Sequence, residues 1–232
     1  MLGRFLELSL VVPDTGAAWQ RWLALGFATA EAGDIWTHPY GVVACEGLSV
    51  GLHAAGDEPV CLTFVRPEVA KLERELADRL IGIERAQLDS EAFNLLELRE
   101  PGGTLLRVQE SRTFSDPAEM PPATTAGVFR TISLPCPDLA EARGFWERLD
   151  LDVRDISEPW DGIAIDALPI ACHDQSTCRD VLLIFDAVAG VPGEHTPRVA
   201  GPAASTLAAL RGRRHRLLRT SDGVSLIEVG PP

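Results

Sequence analysis

The sequence has no long hydrophobic run, no surplus of basic residues and no paired cysteine motif. Its longest apolar stretches, such as LELSLVV, are strand length and fall far short of the roughly 18 residues that a membrane span needs, so no membrane segment is expected. Lysine and arginine number 21 against 34 aspartates and glutamates, a formal net charge of −13. Nucleic-acid binding rests on neutralising phosphates with Lys and Arg, so a nucleic-acid partner is not expected either. The one basic cluster, RGRRHRLLR from Arg211 to Arg219, reads as a solvated helix end and turn. The five cysteines (45, 61, 136, 172 and 178) form no CxxC pair, and their mostly apolar neighbours fit reduced core thiols. Cys172 and Cys178 flank HDQST and read as loop positions; CHDQSTC offers zinc two cysteines and one histidine with no fourth donor nearby. Neither GxGxxG nor a P-loop occurs, which leaves nucleotide chemistry without support. The N-terminus lacks a small-residue cleavage site and Glu7 interrupts its apolar run, so a cytoplasmic location is expected.

What the chain does have is 46% hydrophobic residues over 232 positions, enough for one large core or two ordinary ones. It also repeats itself. FLELSLVVPD (Phe5 to Asp14) lies over FRTISLPCPD (Phe129 to Asp138) at a constant offset of 124, and the same offset brings Trp22 onto Trp146 and Leu25 onto Leu149. The closing segments, TLLRVQ and SLIEVG, align at an offset of 121. Two related domains are therefore expected, 1–113 and 127–232, the second shorter and more divergent, with a Pro-rich linker over 114–126.

In the first half, an alternating strand (FLELSLVV) precedes a helix that Asp14 caps and that places Ala18, Trp22 and Leu25 at i, i+4 and i+7. A short strand around Ile35 to Thr37, then GVVACEG and LSVGLHA, complete a strand-helix-three-strand unit. PVCLTFV, the helix PEVAKLERELADRL, ERAQLDS, FNLLELRE and TLLRVQE repeat it. The second half reads as RTISLPC, the helix DLAEARGFWERL, LDVRDI, GIAIDAL and DVLLIFDAV. TPRVAG, a helix at AASTLAALRG, HRLLRT and VSLIEV follow, with room for one strand fewer.

This ordered recurrence, with its Pro-Asp before a helix bearing a buried aromatic and its closing GG or DG turn, resembles the vicinal oxygen chelate superfamily of glyoxalase I, bleomycin resistance proteins and extradiol dioxygenases. The resemblance implies an α+β fold of four modules paired into two cup-shaped, half-barrel mixed sheets. Alternate residues of each strand would project into a shared cavity. In that family three or four His and Glu side chains, from the first and last strands of the modules, hold a divalent metal that chelates substrate.

Carried over position by position, the first domain has Glu7 on the opening strand, Gly51 with His53 two residues on, Val60 or Cys61 at the start of the second module, and Arg107 on the closing strand. An arginine cannot ligate a metal, so the first domain is not expected to carry the family site. Glu7 and Arg107 would face the same cup, either as an ion pair replacing the metal or with the guanidinium presented to an anionic ligand. The second domain has Thr131 at the opening position, Asp186 in LLIFDAV, His195 in GEHTPRVAG and Glu228 on the closing strand. His195, Glu228 and Asp186 form the candidate metal set, for Fe, Mn, Ni or Zn, and Glu228 the candidate catalytic base. Trp36 and Trp160 could line a flat aromatic ligand, whereas Trp19, Trp22 and Trp146 read as core. His38 and Tyr40, beside a turn, read as surface or cavity rim.

Three functions follow. One is binding of a small, aromatic or anionic metabolite in a cup without the full metal site. The second is a metal-dependent lyase or dioxygenase acting in the second domain, and the third a non-catalytic interaction protein. The sequence leaves open whether each cup belongs to one monomer or is completed in a homodimer.

Overall fold

The computed structural model describes residues 1–31, 36–89, 94–111, 120–188, 215–220 and 222–230. The first module comprises β1 (Arg4–Val11), α1 (Thr15–Ala24), β2 (Ala28–Ala30), β3 (Tyr40–Cys45) and β4 (Leu48–His53). The second comprises β5 (Val60–Arg66), α2 (Val69–Asp78), β6 (Arg85–Gln87), β7 (Leu95–Arg99) and β8 (Leu105–Glu110). The third runs through β9 (Val128–Cys136), α3 (Leu139–Arg148), β10 (Val153–Ile156), β11 (Gly162–Ile165) and β12 (Ile170–Asp174). The described part of the fourth is β13 (Leu182–Asp186), β14 (His215–Arg219) and β15 (Ser225–Val229). Two mixed sheets result, ordered β2-β3-β4-β1-β5-β8-β7-β6 and β10-β11-β12-β9-β13-β15-β14. In each, the opening strands of two modules lie antiparallel at the centre, and each pairs outward with the last strand of its own module in parallel.

The local reasons repeat with the sequence. Asp14 caps α1 by accepting the Ala17 N–H at 2.9 Å, and Asp138 caps α3 by accepting those of Ala140 and Glu141 at 2.8 and 3.2 Å. Ala18 and Trp22 on α1, and Ala142 and Trp146 on α3, are buried one helical turn apart. The opening strands share a bulge as well. Phe5 and Glu7 pair with the adjacent residues Phe64 and Thr63, and Phe129 and Thr131 with Phe185 and Ile184. The extra residue lets both phenylalanines pack toward the helices while Glu7 and Thr131 turn to the opposite face.

Two sequence expectations shift. The short strand of the first module lies at Ala28–Ala30 and not at Ile35 to Thr37, and 32–35 are outside the described residues. Cys172 is not in a loop: it sits in β12 with no exposure, and Cys178 is also buried. A strand buried on both faces has no polar alternation to betray it. The expected segments TPRVAG and AASTLAALRG, and His195, also lie outside the described residues.

The two sheets share one core. A single cluster joins Trp22, Phe27, Phe64 and Leu76 to Trp146, Leu183 and Phe185. Phe27 meets Phe185 edge-on at 6.4 Å. The closing turns reach across: Asp222 accepts from Arg21 at 2.5 Å and from Trp22 Nε1 at 3.1 Å. At the other turn a Cβ on Gly102 would lie 2.1 Å from the Pro135 carbonyl, so only glycine allows that approach.

Candidate functional site

On the first sheet, Leu8, Leu62, Leu52 and Leu106 pack beneath the helices. Their alternates Glu7, Ser9, Thr63, His53 and Arg107 therefore face the cup. Glu7, Ser9, His53 and Thr63 are buried, a dense polar floor of the kind that survives only when every member is bonded. The Glu7 carboxylate accepts from Tyr40 Oη at 2.6 Å on one oxygen, and from Ser9 Oγ at 2.8 Å and His53 Nε2 at 2.9 Å on the other. Ser9 Oγ also lies 2.7 Å from Thr63 Oγ1. His53 Nδ1 lies 3.1 Å from Nε2 of the half-buried His38.

Room for the carboxylate comes from Gly51, opposite Ser9 in the neighbouring strand. A Cβ there would stand 2.1 Å from Glu7 Oε1. Burial, and then the Glu7 charge, push the Tyr40 hydroxyl far above the ordinary phenol range, so Tyr40 remains a donor. His38 is lowered from the usual imidazole range, by burial first and then by His53 and Arg107. Burial also holds the Cys61 thiol up at about 11.

Above this floor stands Trp36, edge-on to His53 at 4.9 Å and tilted against His38 at 5.4 Å. Arg107 lies over its ring, 5.8 Å from the centroid. Trp36 Nε1 is buried with no partner of hydrogen-bond geometry, though it is near enough to the Tyr40 hydroxyl to offset part of that group's shift. Arg107 does not pair with Glu7. Its Nε and Nη2 both reach Glu97 Oε1 at 2.8 Å, because Glu97 faces it directly on β7.

The second cup repeats the scaffold and replaces the chemistry. Thr131 pairs with Ile184 and Ile184 with Ile227, where the first sheet has Glu7, Thr63 and Arg107. Ala171 takes the place of Gly51 opposite Ser133. His173 occupies the position of His53 and Trp160 again meets it edge-on, at 5.5 Å. Here the imidazole is closed in. Nε2 donates to the Cys178 carbonyl at 3.0 Å and Nδ1 accepts from Ser133 Oγ at 2.7 Å. Desolvation holds His173 at about 4, neutral at physiological pH. Leu182, Ile184, Ile227, Val229 and Trp160 make the floor apolar. Thr131 and Ala171 border a cleft of about 500 Å³ whose arginines are paired, Arg130 with Asp186 and Arg154 with Asp166.

The proposed set of His195, Glu228 and Asp186 is not brought together. His195 is outside the described residues. Glu228 stands between Ile227 and Val229, which face the cup, so it faces the other side with Leu226. The alignment at 121 is one residue out of register, and an offset of 120 puts Ile227 in the place of Arg107. Asp186 is bonded to Arg130 through both carboxylate oxygens at 3.1 Å. Likewise Thr63, and neither Val60 nor Cys61, lies across from Glu7.

Of the expected ligand-binding residues, Glu7, His53, Trp36 and Arg107 converge in the first cup; Trp160 and Thr131 belong to the second. Sequence reasoning placed His38 and Tyr40 at a turn, and missed Ser9, Thr63, Glu97 and His173. Two internal matches point to the polar floor: Trp36 with Trp160 at 124 and His53 with His173 at 120.

A divalent metal of the family kind does not fit these residues. In the first cup both Glu7 oxygens and both His53 nitrogens are engaged by neighbouring side chains, and a guanidinium occupies the closing position. Thr131, Ala171, Ile184 and Ile227 of the second cup supply one hydroxyl between them.

Compared by sequence, the chain matches no family model and no curated protein. By structure it resembles a catechol 2,3-dioxygenase with a TM-score of 0.58 and 15% identity, over 98% of this chain and 87% of that one. Homoprotocatechuate 2,3-dioxygenase from Brevibacterium fuscum, in complex with 3,4-dihydroxyphenylacetate, gives a TM-score of 0.59 at 13% identity, over 98% and 80%. The Mn(II)-bound glyoxalase from Novosphingobium aromaticivorans gives 0.55 at 11%, over 98% and 81%. The chain has the fold of the extradiol dioxygenases and this glyoxalase.

Proposed function

We propose that this chain, built on the vicinal oxygen chelate fold, binds a small aromatic anion in its first cup without a divalent metal. The observation that carries this reading is Arg107 lying over Trp36, whose indole N–H has no partner of hydrogen-bond geometry among the described residues. An aromatic carboxylate would meet a cation, held in place by Glu97, together with a ring, and a guanidinium suits the planar carboxylate. The second cup acts as scaffold, since its equivalent histidine is bonded at both nitrogens and its tryptophan is buried in an apolar floor.

The test is thermal stabilisation by phenylacetate, benzyl alcohol and phenethylamine, on protein dialysed against chelator and again after adding Mn(II) or Fe(II). A ligand that prefers the native state raises Tm. Phenylacetate alone should do so, equally with and without metal. Arg107→Ala should weaken its binding about 10- to 100-fold, as expected for a charged hydrogen bond of about 1.5–3 kcal/mol. Stabilisation that appears only after metal is added would sink the metal-independent reading.

A further inference from the structure

The hydrogen bonds of the first cup fix a direction for protons. A carboxylate can only accept, so His53 donates its Nε2–H to Glu7. In a neutral His53 the lone pair is then on Nδ1, and that nitrogen accepts from His38 Nε2–H. His38 is left with its own lone pair on Nδ1. Tyr40 and Ser9 complete the carboxylate and keep it in place. The chain Glu7, His53, His38 therefore runs from a buried anion to a half-buried imidazole whose free nitrogen is basic.

The rest of the cup limits what such a base can do. Ser9 and Thr63 are bonded to each other, and the Cys61 thiol is not ionised at neutral pH, so none of these three described residues is a ready nucleophile. What remains is a proton acceptor, with the Arg107 cation near enough to depress it. This is the equipment for removing a proton from carbon beside a carbonyl, with the negative charge collected by a guanidinium.

We propose that His38 is the proton-accepting catalytic residue of the first cup, with His53 and Glu7 as positioning residues, acting on small aromatic 2-oxo acids. This deepens the binding reading above and rests on it. A C–H bond of the C3 methylene, beside the ketone, breaks and its proton passes to His38 Nδ1. The electron pair moves to the carbonyl oxygen as an enolate facing Arg107. Returning the proton, or one from solvent, to carbon or to the enolate oxygen completes a tautomerisation in which nothing is oxidised or reduced. The imidazolium formed at His38 is stabilised through His53 by the Glu7 charge.

Phenylpyruvate in D2O tests this with the full chain, the loss of the methylene signal being followed by proton NMR. Exchange should exceed the buffer rate at least about tenfold, the low end of what general-base catalysis gives. His38→Gln should return it to the buffer rate. The rate should rise with pH as His38 loses its proton; the charged or titratable groups bearing on that step are His53, Arg107 and, behind His53, Glu7. Glu7→Gln keeps an acceptor for His53 but removes the charge, so it should move the midpoint down by about half a unit or more. A purely structural Glu7 would leave the midpoint where it is, which overturns its place in the relay. Nitrogen-15 NMR of the unaltered protein needs no variant: both imidazoles should carry hydrogen on Nε2, and the opposite tautomer at either overturns the proposal. Phenylpyruvate that binds in an Arg107-dependent way with no exchange above buffer overturns the relay and leaves the binding reading standing. Absence of any Arg107-dependent binding removes both.

Discussion

Glu7 and Gly51 share a volume that only one of them can fill. With Glu7 in place, a methyl on residue 51 would stand 2.1 Å from its oxygen, inside any permitted contact. The second sheet has the opposite solution at the same register, Thr131 with Ala171. Gly51→Ala should therefore destabilise by about 1–3 kcal/mol, the usual cost of overpacking. Adding Glu7→Thr should recover part of that loss, because threonine leaves the space the methyl needs and can still bond a neighbouring hydroxyl. Urea denaturation of the two single variants and the double closes the cycle; strict additivity would show that the two positions do not compete. The same pair explains why an acidic residue is tolerated in a floor this dry. Three donors satisfy the carboxylate and the missing side chain makes room for it.

Helices α1 and α3 are near copies whose tryptophans meet different surroundings. Trp22 donates Nε1 to Asp222, while the equivalent Trp146 Nε1 is buried without a partner among the described residues. The turn that would have supplied an acceptor turns on itself: Glu100 accepts the Gly102 and Thr104 N–H groups at 2.7 Å. Trp22→Phe removes volume and leaves Asp222 short of a donor, whereas Trp146→Phe removes the same volume and an unsatisfied donor. The first should cost more than the second by about 1.5–3 kcal/mol, the net value of a hydrogen bond to a charged group. Equal losses in chemical denaturation would mean that the Trp22 bond contributes nothing. At this scale the sequence was most legible where the repeat is strict: the Asp caps, the tryptophans and the opening strands all lie at 124. It was least legible where the copies change length. A one-residue slip in SLIEVG exchanged Ile227 for Glu228, and since strand side chains alternate, that slip moved a carboxylate from outside the cup into it. IACHD escaped notice as a strand because both its faces are buried, and His173 was missed with it.

Across the whole molecule the two cups are joined through one core, so a change in either half acts on both. Phe27 and Trp22 of the first half contact Phe185 and Asp222 of the second, and each sheet's closing turn lies against the other half. Unfolding should be a single calorimetric transition, with van't Hoff and calorimetric enthalpies in agreement. Acid provides the sharper test. His173 is fully buried and held at about 4, while in the unfolded chain it titrates near the usual 6.5. Between those values the unfolded state holds more protons, so stability falls as pH falls, by at most about 3 kcal/mol across the window. Glu100, raised by burial, works in the other direction, because its proton uptake favours the fold. The comparison is therefore between the unaltered protein and His173→Gln, which keeps a donor and an acceptor but does not titrate. From pH 6.5 to 4 the unaltered protein should lose more stability than the variant, and its one transition should move down without splitting. A second transition emerging at low pH, with the first half still melting where it did, would show that the second cup can unfold by itself and that the shared core does not bind the halves into one cooperative unit.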